Sequence, residues 1–286
     1  MIETVATVQS NEEVSPGYRL LVLSFERQIE ARAGQFAMLR PEGSFEPLLR
    51  RALAVYRQLG SNQLSFLYQV LGRGTETLAR CVPSSKVEAL IPLGNSWPVY
   101  PEAPVDGPAQ TAGGQTDRAI VVAGGIGSAS LLMLCEQLAR QGVETEVLFG
   151  ARDEATARGC GLEDFRALGV SLTITTDDGS LGERGFVTGP LERLLHEDVF
   201  SQATIYACGP WVMMSRVAEI AARSSVSCLV SLEAPMGCGF GVCVGCVVAV
   251  NTDGPPGYDS YKRVCIDGPI FSARTIEWNV NPMTHS

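Results

Sequence analysis

Cysteine spacing toward the end of the chain constrains this protein more than any other feature. Cys238, Cys243 and Cys246 stand as C-x4-C-x2-C inside "MGCGFGVCVGC", and Cys265 follows after eighteen further residues. That is the thiol spacing of a plant-type [2Fe–2S] centre. Each iron takes two thiolates beside two bridging sulfides. Three ligands therefore wrap the cluster from one tight loop, and the fold must bring the fourth back from a distant segment. Gly237, Gly239, Gly241 and Gly245 interleave the thiols. Glycine admits positive φ and presents no side chain, so such a loop can close on a compact anion and aim N–H groups at its sulfurs. Two other readings stand beside this one. A zinc site usually shows two closely spaced cysteine pairs, and only one is present here. Free cysteines also pack as small hydrophobes, which is the reading for Cys81, Cys135, Cys160 and Cys228.

The rest of the chain must support that loop. At 286 residues it has room for two or three domains. Its net charge of −9 speaks against nucleic acid, whose phosphates require clustered Lys and Arg. No run of eighteen apolar residues occurs, so no membrane span is expected. "MIETVATVQS" has neither the basic nor the apolar part of a signal peptide. A cytoplasmic chain is expected, where thiols stay reduced, and its nine cysteines are not a disulfide framework. With His196 and His285 as the only histidines, a histidine-ligated metal or a histidine-based triad has little support.

Four stretches divide the chain. Residues 1–100 read as a β-barrel or sandwich, with strands at Tyr18–Phe25, Gln35–Pro41, Leu49–Tyr56 and Gln63–Val70 and a short helix opening within Gly72–Cys81. Residues 101–118, rich in Pro, Gly and Ala without periodicity, read as a linker. Residues 119–225 alternate apolar strands with amphipathic helices. The strands are Arg118–Gly125, Glu144–Ala151, Val170–Asp178 and Ala203–Pro210; the helices are Ser128–Gly142, Leu162–Leu168, Gly189–His196 and Trp211–Ala222. That alternation implies a parallel, Rossmann-like α/β sheet. Residues 226–286 form a loop-rich tail carrying the cysteine motif.

Two turns of the α/β segment carry chemistry. In "VVAGGIGSASLL" a glycine-rich turn joins strand to helix and offers backbone N–H groups to a phosphate, with Gly124, Gly125 and Gly127 as its contacts. It departs from a strict G-x-G-x-x-G because Ser130 stands at the third glycine. "YACGP" ends a second strand, so Cys208 and Gly209 belong beside the ligand crevice at the carboxyl ends of the sheet. There the Cys208 thiol is a candidate neighbour of a nicotinamide ring. The competing reading of both is an ordinary tight turn.

A barrel, then an α/β segment with Gly-Gly-x-Gly and Cys-Gly-Pro turns, resembles the ferredoxin reductase superfamily. With "LLRR", "YQVLGRGTETL", "PLGN", "AGGIG", "YACGP", "SLEAPMGCGFGVCVGC" and "YKRVCIDGPIF" in order along nearly its full length, the chain resembles the electron-transfer subunits of NAD-linked (type B) dihydroorotate dehydrogenase. The resemblance implies FAD in the barrel, NAD as a substrate at the sheet and a [2Fe–2S] cluster on Cys238, Cys243, Cys246 and Cys265. It places the flavin against Arg51, Ala52, Leu53 and Ala54 and along Tyr68, Gln69 and Val70, with its pyrophosphate at Gly74 and Thr75. It further implies an FMN-containing dihydroorotate dehydrogenase catalytic subunit as partner, in a heterotetramer. A hydrogenase, sulfide dehydrogenase or NADPH–ferredoxin transhydrogenase partner is the alternative. Three departures from the family pattern stand out: Ala52 and Ala54 replace Pro and Ser, Ser128–Ser130 replaces a proline-containing stretch, and Pro235 replaces Arg.

Overall fold

The computed structural model describes residues 1–43, 46–98, 118–197, 200, 202–252, 255 and 257–285. The linker expected at 101–118 lies outside them except for Arg118, which opens a strand.

The first sheet is antiparallel and curls into an open barrel. Its members are β1 (Ile2–Ser15), β2 (Tyr18–Phe25), β3 (Phe36–Pro41), β4 (Arg51–Ala54), β5 (Arg57–Gly60), β6 (Gln63–Gln69) and β7 (Lys86–Leu93), in the order β4-β3-β7-β1-β2-β6-β5. Inward residues such as Leu21, Leu23, Leu39, Phe66 and Val87 fill its core. Helix α1 (Arg73–Ala79) plugs one end through buried Leu78. Strands β1 and β7 escape the sequence pattern. The second half of β1 is "NEEVS", whose polar residues mask the alternation, and β7 carries Pro92 near its end. Both are held by partner strands on two sides, which overrides weak local propensity.

The second sheet holds β8 (Arg118–Gly124), β9 (Glu144–Ala151), β10 (Ser171–Thr176), β11 (Glu183–Arg184), β12 (Thr204–Cys208) and β13 (Ser227–Ser231). These pair in parallel in the order β11-β10-β9-β8-β12-β13. Helices α2 (Leu132–Arg140), α3 (Glu154–Gly159), α4 (Leu162–Ala167), α5 (Thr188–Leu194) and α6 (Trp211–Arg223) connect them. The chain order reverses between β8 and β12, which opens a crevice at the carboxyl ends of those two strands. The helix expected from Ser128 begins as a 3-10 turn over Gly125–Ser130, and α2 proper starts at Leu132.

The tail does not stand apart. The α/β pattern continues past residue 225, because β13 lies beside β12. A short hairpin of β14 (Val247–Ala249) and β15 (Tyr261–Arg263) carries the chain onward. It then returns as β16 (Ile270–Ser272), antiparallel to β13, as the last strand of the second sheet. Cys246, Val248, Val264 and Cys265 share one apolar core with Phe36, Met38 and Leu93 of the barrel and Val217 of α6.

Polar contacts join barrel to parallel sheet. The Tyr56 hydroxyl donates to Asp164 Oδ2 at 2.6 Å. Arg57 reaches Glu136 on α2 at 2.6 Å and Asp164 on α4 at 3.1 Å. Trp97 donates its indole N–H to the Ser130 carbonyl at 2.9 Å and packs edge-on against Tyr206. Gly161, at φ +80°, lets the Tyr56 hydroxyl approach where a Cβ would lie 2.2 Å away. Among the described residues no helix is long and apolar enough to cross a membrane.

Candidate functional site

The cysteine loop follows β13 and leans on the barrel. Gly239 sits at φ +82°, and a Cβ there would come within 2.4 Å of Met38 Cγ and 3.3 Å of Leu93 Cδ1. Met38 is the ladder partner of Ala52 across β3 and β4. The cysteine loop is thus seated one strand away from the segment Arg51–Ala54.

The four thiols meet in two pairs. The Cys243 N–H points at Cys238 Sγ at 3.5 Å. Burial opposes ionisation of Cys238, but backbone N–H groups of Cys243, Phe240 and Val242 outweigh it and draw its thiol down to about 6. Several N–H donors aimed at one sulfur are what a thiolate ligand requires. Across the loop, the Cys265 thiol lies near Cys246 and feels the charge of Cys238; burial, then Cys246, pushes it up to about 12. Cys246 and Cys265 are buried while Cys243 is exposed. Among the described residues no three His, Cys, Asp or Glu side chains close on one point as ligands of a single ion would. Two adjacent thiol pairs, one nested in N–H donors, match in chemistry the donor set that a two-iron centre needs. Cys135, Cys160 and Cys228 lie buried in the two large cores, as packing residues do, and Cys81 is half-buried at the barrel.

Arg51 lies on the edge strand β4, its side chain folded over the first turn of α1. A Cβ on Gly74 would fall 2.3 Å from Arg51 Nε, so only glycine permits this approach. Nη2 donates to the Leu49 carbonyl at 2.8 Å, whereas Nε is buried with no partner. A buried guanidinium N–H left unpaired is costly, and an anionic oxygen over α1 would satisfy it. Thr75 serves the same turn differently. Its hydroxyl accepts the N–H groups of Leu71 and Gly72 and donates to the Gly72 carbonyl, closing the turn. Tyr68 points inward: its ring is in the barrel core and its hydroxyl donates to buried Asn11 at 3.1 Å. Only its main chain is available to a cofactor. Gln69 and Val70 are half-buried, as are Leu53 and Ala54, while Ala52 is exposed on β4.

At the crevice of the parallel sheet, the two turns touch. A Cβ on Gly127 would lie 2.6 Å from both Cys208 C and Gly209 N, and one on Gly209 would lie 2.9 Å from Gly124 Cα. Gly125, at φ +52°, has nothing within 4 Å of where its Cβ would be and faces open space. Cys208 is 2% exposed. Burial, then the charge of nearby Glu233, raises its thiol to about 12, with Ser130 and Ser231 in hydrogen-bond reach. Burial thus favours its protonated form. Ser128 donates to the Cys160 carbonyl at 2.6 Å and Ser130 to the Gly127 carbonyl at 3.2 Å, so these serines brace the glycine turn from within. Met38 and Asn95, which tie the cysteine tail to the barrel, lie outside the sequence-derived site. Met38 sits in an apolar run and carried no separate signal; Asn95 was visible only as the last letter of "PLGN".

Comparison with known proteins bears on this arrangement. Residues 233–277 match the model of the iron-sulfur cluster binding domain of dihydroorotate dehydrogenase B. The chain is 35% identical over 246 residues to the "Dihydroorotate dehydrogenase B (NAD(+)), electron transfer subunit" of Desulforamulus reducens, covering 86% of each chain. To the protein of the same name from Geobacillus kaustophilus it is 37% identical over 270 residues, covering 93% of this chain and 95% of the relative. Among solved structures, one from work on the NADH-dependent reduced ferredoxin-NADP oxidoreductase superposes with a TM-score of 0.77 at 24% identity, covering 96% of this chain and 90% of the other. At that identity the likeness shows a shared fold.

Proposed function

The chain belongs to the family of dihydroorotate dehydrogenase B electron transfer subunits, and from that premise we propose that it carries electrons between NAD and an FMN-containing dihydroorotate dehydrogenase catalytic subunit. Cys238, Cys243, Cys246 and Cys265 would hold a [2Fe–2S] cluster. Arg51, the edge strand to Ala54, the main chain of Tyr68–Val70 and the turn at Gly74 and Thr75 would hold FAD. Gly124, Gly125, Gly127, Cys208 and Gly209 would line the nicotinamide nucleotide site. FAD, when bound, supplies the exchange between two-electron hydride chemistry and the one-electron chemistry of iron–sulfur centres.

This chain's own residues supply position and shielding. Arg51 Nε and the first turn of α1 suit the flavin pyrophosphate. The buried, neutral Cys208 presents a small apolar wall and no competing nucleophile. The N–H groups around Cys238 favour its thiolate form and tune any bound cluster. The observation that carries the reading is the seat of Gly239 on Met38, beside Ala52: the thiol loop and the flavin strand are neighbours on one barrel end.

The cluster side also suits a protein partner. Phe240, Val242, Val244, Tyr261 and Ile266 are all exposed around the cysteines, Val242 at 72%. Such a patch is unusual on a free surface and normal in an interface. The partner would dock there, in a heterotetramer with two copies of each subunit, and electrons from dihydroorotate would reach NAD⁺ through this chain. The test is an anaerobic preparation loaded with FAD, iron and sulfide. NADH is expected to bleach the flavin and raise a reduced-cluster EPR signal, and addition of the FMN subunit is expected to couple dihydroorotate oxidation to NAD⁺ reduction. A colourless preparation refutes the cofactor assignment; a coloured one that never couples to dihydroorotate refutes the partner.

A further inference from the structure

The segment Gly94–Trp97 leaves β7 and contacts all three parts of the molecule. Asn95 is its centre. Its backbone N–H donates to the Gly268 carbonyl at 2.7 Å. Its side-chain amide donates to the carbonyls of Asp267 at 3.3 Å and Ile270 at 2.9 Å, and its Oδ1 accepts the Ile270 N–H at 2.9 Å. Every hydrogen-bonding group of the side chain except a second oxygen lone pair is spent on one four-residue loop. Only asparagine fits this role: aspartate has no donor, serine has too few, and glutamine carries its amide one carbon too far.

That loop begins two residues after Cys265. Its other anchors lie within the tail, because Asp267 Oδ2 accepts the Arg263 N–H at 2.7 Å and the Leu232 N–H donates to the Pro269 carbonyl at 2.9 Å. Gly94, at φ +75°, brings the strand against it; a Cβ there would lie 2.5 Å from Pro269 Cδ. Gln35 donates to the Gly94 carbonyl at 3.0 Å and holds the strap to the barrel. The tail therefore reaches the barrel at two points, Gly239 on Met38 and the 267–270 loop on Asn95. The first seats the N-terminal thiols and the second seats the segment that delivers Cys265.

We propose that Asn95 is a positioning residue for electron transfer: by clasping the 267–270 loop it fixes the Cys265 side of the cluster against the flavin-bearing barrel. The inference rests on the cofactor assignment above. Removing the clasp leaves the barrel and the nucleotide crevice untouched while freeing the fourth ligand's segment, so transfer between flavin and cluster should slow while hydride transfer from NADH does not. Displacements near 1 Å in a preorganised site cost up to about 10²-fold in rate.

The test compares wild type with Asn95→Ala and Asn95→Asp in cofactor-loaded protein. Amide exchange is expected to rise at least tenfold at Ile270 and its neighbours in Asn95→Ala and to rise less in Asn95→Asp, which keeps the acceptor for the Ile270 N–H. In rapid mixing with NADH, flavin bleaching is expected within twofold of wild type and the reduced-cluster signal is expected to appear at least tenfold later. Loss of the cluster from Asn95→Ala with FAD retained carries the same meaning, since the Cys265 ligand has lost its place. Cluster reduction at the wild-type rate overturns the proposal, as does loss of FAD and fold together, which would make Asn95 a general folding residue. If wild type itself shows no NADH-reducible cluster, it is the cofactor assignment that fails.

Discussion

Replacing Gly127 by alanine isolates what the crevice does. The added Cβ would meet Cys208 C and Gly209 N at 2.6 Å, against an ordinary contact that begins near 3.4 Å. All the obstructing atoms are backbone, so no side chain can swing aside, and the two turns must part by about 0.8 Å. Overpacking of this kind costs about 1–3 kcal/mol. Gly142→Ala, in the turn that follows α2 and outside the crevice, is the matched control. It meets no atom within 4 Å but sits at φ +72°, so it costs about 1–2 kcal/mol through conformation alone and displaces nothing. The two variants should thus lose similar stability in a urea titration and differ in function. Anaerobic mixing with NADH should show flavin bleaching reduced by about 10²-fold in Gly127→Ala at subsaturating NADH. Gly142→Ala should stay within severalfold of wild type, and dithionite should reduce the flavin equally in all three. Equal NADH reactivity in Gly127→Ala would refute the placement of the nucleotide at these turns. Equal failure of both variants would show that lost stability, not crevice geometry, is being measured.

Two further outcomes follow from other parts of the molecule. Cys265→Ser should abolish the iron–sulfur absorbance and EPR signal while FAD and NADH-dependent flavin bleaching persist; metal analysis still giving two irons per chain would exclude Cys265 as a ligand. Tyr56 tests the contact between barrel and parallel sheet. Burial, then the hydrogen bond to Asp164, raises its phenol above the ordinary 10.0. The folded state therefore keeps the proton while the unfolded chain releases it, so this contribution is whole below pH 10 and declines as pH rises above it. Urea midpoints should fall more steeply above pH 10 in wild type than in Tyr56→Phe, by up to one proton's worth of slope; parallel curves would show that Tyr56 ionises in the folded protein.

Legibility from sequence tracked how local the physics was. The thiol spacing, the Gly-Gly-x-Gly turn and the alternating α/β pattern are short-range signals, and each appears where expected. Strands β1 and β7 were missed because their evidence is non-local: polar "NEEVS" and Pro92 are tolerated only through pairing with β2, β3 and each other. Strand β13 was assigned to the tail because "SCLVS" is brief and followed at once by the loop, although it continues the sheet beside β12. Tyr68 was placed at the flavin by family position, yet its hydroxyl is committed to Asn11, a contact over 57 residues that no local pattern announces.

The relative placement of redox groups belongs to the same non-local class, and it decides function. A cysteine spacing can specify that a cluster forms, but electron transfer depends on where the cluster sits relative to the flavin. On the proposed assignment that placement rests on Gly239 against Met38 and on Asn95 around residues 267–270, contacts between segments about 170 to 200 residues apart. Neither Met38 nor Asn95 has chemistry of its own; each matters only because the fold spends it at a junction. Moving the cysteine loop onto another barrel would therefore transfer the cluster without its coupling to flavin. A chimera carrying residues 118–286, the parallel sheet together with its tail, on a related barrel that lacks the Asn95 clasp should bind iron and sulfide normally yet reduce its cluster slowly with NADH. Restoring asparagine at the position of Asn95 should recover the rate, and a chimera that relays at full speed without it would show that the thiol loop positions itself.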